Sequence, residues 1–138
     1  MHKLFQDHGA QGAVFHYDSE YAQHGKFLVI LNEKWPPADE IIIYAYTTSQ
    51  THRFDDGKVP ESTIVRLEPG DYSFCKVPTV IDLTAIKTKK ASEISESGMF
   101  KFVCQLDGED LERVLDAVQA SIVIARKHKK AILGNRYG

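Results

Sequence analysis

A chain of 138 residues, 43% hydrophobic and 26% charged, suits one domain around one core and is short for two. Seventeen Lys and Arg against nineteen Asp and Glu leave a formal net charge of −2, so overall charge gives no support for nucleic-acid binding and only a local basic patch could supply it. Cys75 and Cys104 lack paired metal-ligand spacing and read as reduced core residues, with a disulfide between them as the alternative.

The N-terminus, MHKLFQDHGA, carries no apolar signal region and no small-residue cleavage site, which reads as an intracellular protein. Residues 1–12 are polar and irregular and predict a mobile lead-in. Val14, Phe15 and Tyr17 predict a short strand, with His16 alternating to the face opposite Phe15, toward solvent or a dimer contact. His8, His16 and His24 are spaced by eight, but no supporting carboxylate pattern accompanies them and no metal site is expected.

After a polar loop over 18–25, residues 25–50 form the centre of the reading: GKFLVILNEKWPPADEIIIYAYTTSQ. Two apolar runs, each bounded by turn chemistry and too short to span a membrane, predict strands buried on both faces. Pairing 27–31 antiparallel with 41–47 across the loop 32–40 brings Lys26 near Ala45, Tyr46 and Thr47. A cation beside hydroxyls at a sheet rim can donate to phosphate oxygens, although the same residues also suit ordinary solvated strand ends. The following loop, 48–62, adds His52 and Arg53 next to Thr48 and Ser49.

Residues 63–67 predict another strand, Glu68-Pro-Gly-Asp71 a turn, and 72–82 extended structure that Pro78 limits to an edge, a bulge or a strand start. Lys87, Lys89 and Lys90 precede one or two helical turns ending before Gly98. Residues 99–106 alternate as a strand, with Phe100, Phe102 and Cys104 on one side and Lys101, Val103 and Gln105 on the other. Leu111, Val114, Leu115, Val118, Ile122 and Ala125 then recur at helical spacing behind the acidic start Asp107, Glu109 and Asp110. The basic run 126–130 falls at the far end of that helix, as a solvated terminus or a nucleic-acid contact. No repeat, Walker loop or Rossmann glycine pattern appears, and short strands followed by one C-terminal helix predict a small α+β, barrel-like domain.

This order of elements resembles the MazF/PemK-like toxins of bacterial toxin–antitoxin systems. KFLVILN resembles that family's second core strand, IIIYAYTTSQ the strand after it, VPTVIDLTAI a later Thr-Ile-Asp strand, and FKFVCQLDGEDLERVLDAV the last strand and terminal helix. The resemblance implies an SH3-like β-barrel with a C-terminal α-helix, filling residues 1–138 as a single domain. It also implies a cytoplasmic homodimer that needs no cofactor, cleaves single-stranded RNA without metal, and is neutralised by a cognate antitoxin covering the site. No membrane partner is expected.

Carried over residue by residue, the family's Thr-Ser is matched by Thr48 and Ser49, whereas its Arg-Pro strand start is Lys26-Phe27 here. Lysine keeps the charge but not the planar fork. The Arg and Asp that PemK-type members use as acid and base are replaced by Phe74 and Lys76. Cleavage needs the 2′-hydroxyl deprotonated, the phosphorane charge stabilised and the leaving oxygen protonated. By proximity and chemistry, Lys26, Thr48 and Ser49 would stabilise charge, His52 would act as acid or base, and Arg53 or Lys76 would hold phosphate. Phe54, Tyr72 and Phe74 would stack on unpaired bases, unless they are core residues. The competing readings are a catalytically degenerate MazF-fold module that binds RNA or a protein, and a Cys/His-dependent enzyme using Cys75 or Cys104.

Overall fold

The computed structural model describes Phe5, residues 8–18 and residues 26–136. His24, half of the lead-in (residues 1–4, 6 and 7) and residues 19–25 of the expected loop lie outside them. The described residues form strands β1 (Ala13–Tyr17), β2 (Lys26–Ile30), β3 (Ile41–Thr48), β4 (Ile64–Leu67), β5 (Thr79–Asp82), β6 (Lys87–Lys90) and β7 (Phe100–Gln105). Three α-helices with described bounds accompany them among the described residues: α1 (Ala91–Ser97), α2 (Gly108–Ala120) and α3 (Arg126–Leu133). Among the described residues no helix is long and apolar enough to cross a membrane.

The class is α+β, with all seven strands in one antiparallel sheet of order β4-β5-β3-β2-β1-β7, and β6 added beside β3. No pairing joins β4 to β7 among the described residues, so the sheet is open rather than closed on itself. The central hairpin is present as expected, with Leu28 opposite Tyr46 and Ile30 opposite Tyr44. Its loop is held by Asn32, whose Nδ2 donates to Ile41 O at 3.2 Å while its Oδ1 accepts from Ile43 N at 2.7 Å.

Burial on both faces of the hairpin follows from alternation within its apolar runs. Val14, Val29, Ile43 and Ala45 face one core, which α2 and α3 cover with Val114, Val118 and Ile132. Phe15, Leu28, Ile30 and Ile42 face a second core, closed by Ala91 and Ile94 of α1 together with Phe5 and Trp35. Burying each such side chain contributes about 1.5–3 kcal/mol, so the two faces together fix the register of β1, β2 and β3.

The described part of the lead-in is packed rather than loose. Phe5 is buried and stacks on Trp35 with ring centroids 4.4 Å apart. Trp35 Nε1 donates to His8 O at 2.6 Å, and Gln11 Nε2 donates to Leu31 O at 2.9 Å and to Ile132 O at 2.7 Å.

Two sequence expectations fail for local reasons. Strict alternation in β7 breaks because Val14 pairs with Cys104 while the next residue, Phe15, pairs with Phe102. Val103 is thus the extra residue of a β-bulge, and both Val103 and Cys104 pack on the first core. The expected single C-terminal helix is two. Asp107 caps the start of α2 by accepting from Asp110 N at 2.8 Å, but α2 ends at Ala120 and Ser121 Oγ accepts from Val123 N and Ile124 N at 3.2 and 3.3 Å. That side-chain competition turns the chain and leaves Ile122 97% exposed. The basic run therefore opens α3 instead of ending α2, and Lys129 Nζ reaches back to donate to Gln119 O at 3.0 Å.

Gly134 ends α3 with φ 54° and ψ −126°, a conformation for glycine, and a Cβ there would run into the Glu33 carboxylate. Gly134→Ala should lower stability by about 1–3 kcal/mol, read from urea unfolding as a lower midpoint at unchanged slope.

Candidate functional site: a basic cleft at the sheet rim

The end of β3 meets the starts of β2 and β6 and the C-terminal half of β5 around a cleft of about 1110 Å³. Antiparallel pairing makes this rim. β3 runs beside β2 through Tyr46, beside β6 through Tyr44 opposite Lys87, and beside β5 through Thr47 opposite Ile81 and Thr48 opposite Val80. Lys26 arrives where the hairpin geometry predicts, its Nζ 4.9 Å from the centre of the Tyr46 ring. Thr47 Oγ1 donates to Phe27 O at 3.3 Å and so fastens the hairpin. Thr48 Oγ1 accepts from Gln50 N at 3.1 Å, which leaves its own hydroxyl proton to be donated to a ligand.

Of the residues singled out in the sequence, Lys26, Thr48, Ser49, Arg53, Phe74 and Lys76 all line this cleft. His52 and Phe54 do not. Both belong to the 3-10 turn Thr51–Phe54, which drives the Phe54 ring into a small cluster with Ile64 and Val80. Phe54, 4% exposed, presents no face to a base, and His52 is exposed on the same turn but outside the cleft lining. The turn is held from below by Arg66, whose Nη2 donates to Phe54 O at 3.1 Å and pairs with Glu61 at 2.6 Å and Asp55 at 3.1 Å. Held this way, Arg53 reaches the cleft wall.

One wall is aromatic. Phe27 stacks on Phe74 with centroids 5.2 Å apart, and Phe74 on Tyr72 at 5.7 Å. Phe27 and Phe74 are both half-buried, backed by the first core and open on the cleft side. Tyr72 is the fixed end of the series: its hydroxyl donates to Asp110 Oδ2 at 2.7 Å and accepts from Asp107 N at 3.0 Å, and burial pushes its phenol above the usual range. Tyr44, beside Tyr46 in the second core, is likewise pushed up by burial and by the neighbouring Tyr46.

Sequence reasoning missed Lys87 and Asp82, which also line the cleft. Among the described residues, Lys26, Arg53, Lys76 and Lys87 against Asp82 give the cleft lining four cations and one carboxylate, a local excess of three positive charges on a chain of net charge −2. The visible signal for Lys87 was its place in the Lys87, Lys89, Lys90 run. Asp82 announced itself only as the last residue of an apolar strand followed by Thr84.

His8 and His16 serve as ring partners, with centroids 3.5 Å from Phe102 and 4.9 Å from Phe27. Among the described residues no group of three or more His, Cys, Asp or Glu is placed to hold a metal. Cys75 and Cys104 are free thiols, and burial pushes both above the ordinary thiol range. That shift opposes thiolate formation, the reverse of what a nucleophilic cysteine needs. Alkylation at neutral pH should therefore be much slower for native Cys75 than for the urea-unfolded chain, as read by intact mass.

No protein-family model and no curated protein matches this chain. Fold and site together define an α+β protein with an open antiparallel sheet and a cationic cleft walled by stacked aromatics.

Proposed function

We propose that this protein is a MazF/PemK-like endoribonuclease toxin acting on single-stranded RNA in the cleft at the β2–β3 rim. One observation carries the reading: Lys26, Thr48, Ser49, Arg53, Lys76 and Phe74, separated by up to fifty residues in sequence, line one cleft beside a stacked aromatic wall. Cations and hydroxyl donors suit phosphates, and aromatic faces suit unpaired bases. The fold is read as a partly open SH3-like barrel, supported by the way β3 serves β2 on one edge and both β5 and β6 on the other. A cytoplasmic homodimer and a cognate antitoxin that covers the cleft complete the proposal.

The test is cleavage of single-stranded RNA by the purified protein, together with growth arrest on induced expression in bacteria. A folded protein that neither cleaves RNA nor arrests growth overturns the assignment. RNA binding should also weaken with salt, with a slope of log K against log salt near −2 to −3 if most of the four cations meet phosphates.

The second reading, a catalytically degenerate MazF-fold module that binds RNA or a protein partner, is favoured by His52 standing outside the cleft lining. Tight, salt-dependent RNA binding with no turnover would select it.

A further inference from the structure

With His52 outside the cleft, the cleavage reading lacks a proton acceptor, and the lining supplies one by elimination. Lysine and arginine side chains are protonated at neutral pH and have no lone pair to offer. The Thr, Ser, Tyr and Gln groups of the lining are weak bases. Among the described residues that line the cleft, Asp82 is the one carboxylate.

Its position is built by the sheet. Asp82 ends β5 opposite Ile64 of β4, one residue beyond the pairing of Ile81 with Thr47. Thr47, the partner of Ile81, follows Tyr46, whose ring carries Lys26 Nζ at 4.9 Å, and Tyr44 two residues earlier pairs with Lys87. The carboxylate is half-buried and oriented by one neighbour: Thr84 donates to its Oδ1 from the backbone N at 2.9 Å and from Oγ1. No hydrogen bond or ion pair among the described residues involves Oδ2. One oxygen is fixed, and the other is left for a ligand proton.

We propose that Asp82 is the general base of the cleft, accepting the proton of the RNA 2′-hydroxyl; the assignment rests on the cleavage reading above. The 2′-oxygen then attacks the adjacent phosphorus, the P–O5′ bond breaks, and the departing O5′ takes a proton from the Lys26 ammonium. The products are a 2′,3′-cyclic phosphate and a 5′-hydroxyl, and proton exchange with water returns Asp82 and Lys26 to their starting states. No oxidant, reductant or further reactant is consumed.

Asp82→Asn tests this, because the amide carbonyl can still accept from Thr84 while the side chain no longer takes a proton. With the full chain and a single-stranded RNA oligonucleotide of mixed sequence, kcat should fall by about 10²-fold or more. RNA affinity should stay level or rise, since a negative charge leaves a cationic cleft, and Tm should hold. Asp82→Ser is the second variant, read the same way should the first fold poorly. Cleavage within about threefold of wild type per folded molecule, or a loss confined to Tm, overturns the assignment while leaving the nuclease reading standing. A folded wild-type chain that binds RNA without cleaving it removes the nuclease reading, and Asp82 as base falls with it.

Discussion

Lys26→Ala should cost about 10²–10³-fold in kcat for RNA cleavage, with a much smaller loss of RNA affinity. Three other cations, Arg53, Lys76 and Lys87, remain to hold the ground-state phosphates, so binding is shared. The charge that develops on the phosphorane is not shared in the same way. Lys26 is held over the Tyr46 ring at the start of β2, where its backbone pairs with Tyr17 of β1. A donor preset in this manner works mainly in the transition state and so appears in kcat. A substrate with sulfur in place of O5′ leaves without needing a proton, so it should restore part of the Lys26→Ala loss and none of the Asp82→Asn loss. Full activity in Lys26→Ala would remove Lys26 from the chemistry, whatever the fate of the nuclease reading.

The largest stability effect is expected at Asn32, which is 6% exposed and bonds across its own hairpin loop to Ile41 and Ile43 of β3. Asn32→Leu keeps the size of the side chain but strips the acceptor from Ile43 N and the donor from Ile41 O. Leaving the buried Ile43 N–H and the part-buried Ile41 carbonyl without these partners costs about 1–3 kcal/mol each, and about 2–4 kcal/mol together is the expected loss. For a chain of this length that lowers Tm by roughly 6–15 °C. The measurement is thermal unfolding followed by circular dichroism, and a shift below about 2 °C would mean that water or a relaxed loop replaces both bonds. Because Asn32 lies at the end of the hairpin away from Lys26, cleavage by the folded fraction should be unchanged.

The hairpin was legible because its information is local. Two apolar runs and a polar loop specify antiparallel strands buried on both faces, and that geometry alone carries Lys26 to Tyr46. Closeness in sequence says less about the rest of the rim: His52 and Phe54 lie within six residues of Thr48, yet a single 3-10 turn commits Phe54 to the core and leaves His52 outside the cleft lining. Helical periodicity carried Ile122 and Ala125 past the end of α2, because periodicity is blind to a serine that captures the backbone N–H groups after it. Asp82 and Lys87 enter the cleft through strand pairings with β3 over more than thirty residues of sequence, and no local pattern encodes that distance.

The placement of β1 between β2 and β7, and the bond from Gln11 to Ile132 across 121 residues, bear on how the chain acquires its structure. During synthesis the hairpin can form early, since its partners are neighbours, and β1 can join it as a third strand. The free edge of β1 then stays open until residues 100–105 have been made, and the Gln11 amide finds its second carbonyl only after Ile132 has followed. High contact order of this kind slows the final step and exposes an unpaired strand edge in the meantime. A truncated chain ending before β7 is therefore expected to aggregate, and chaperone dependence should track the interval between the two halves of that pairing.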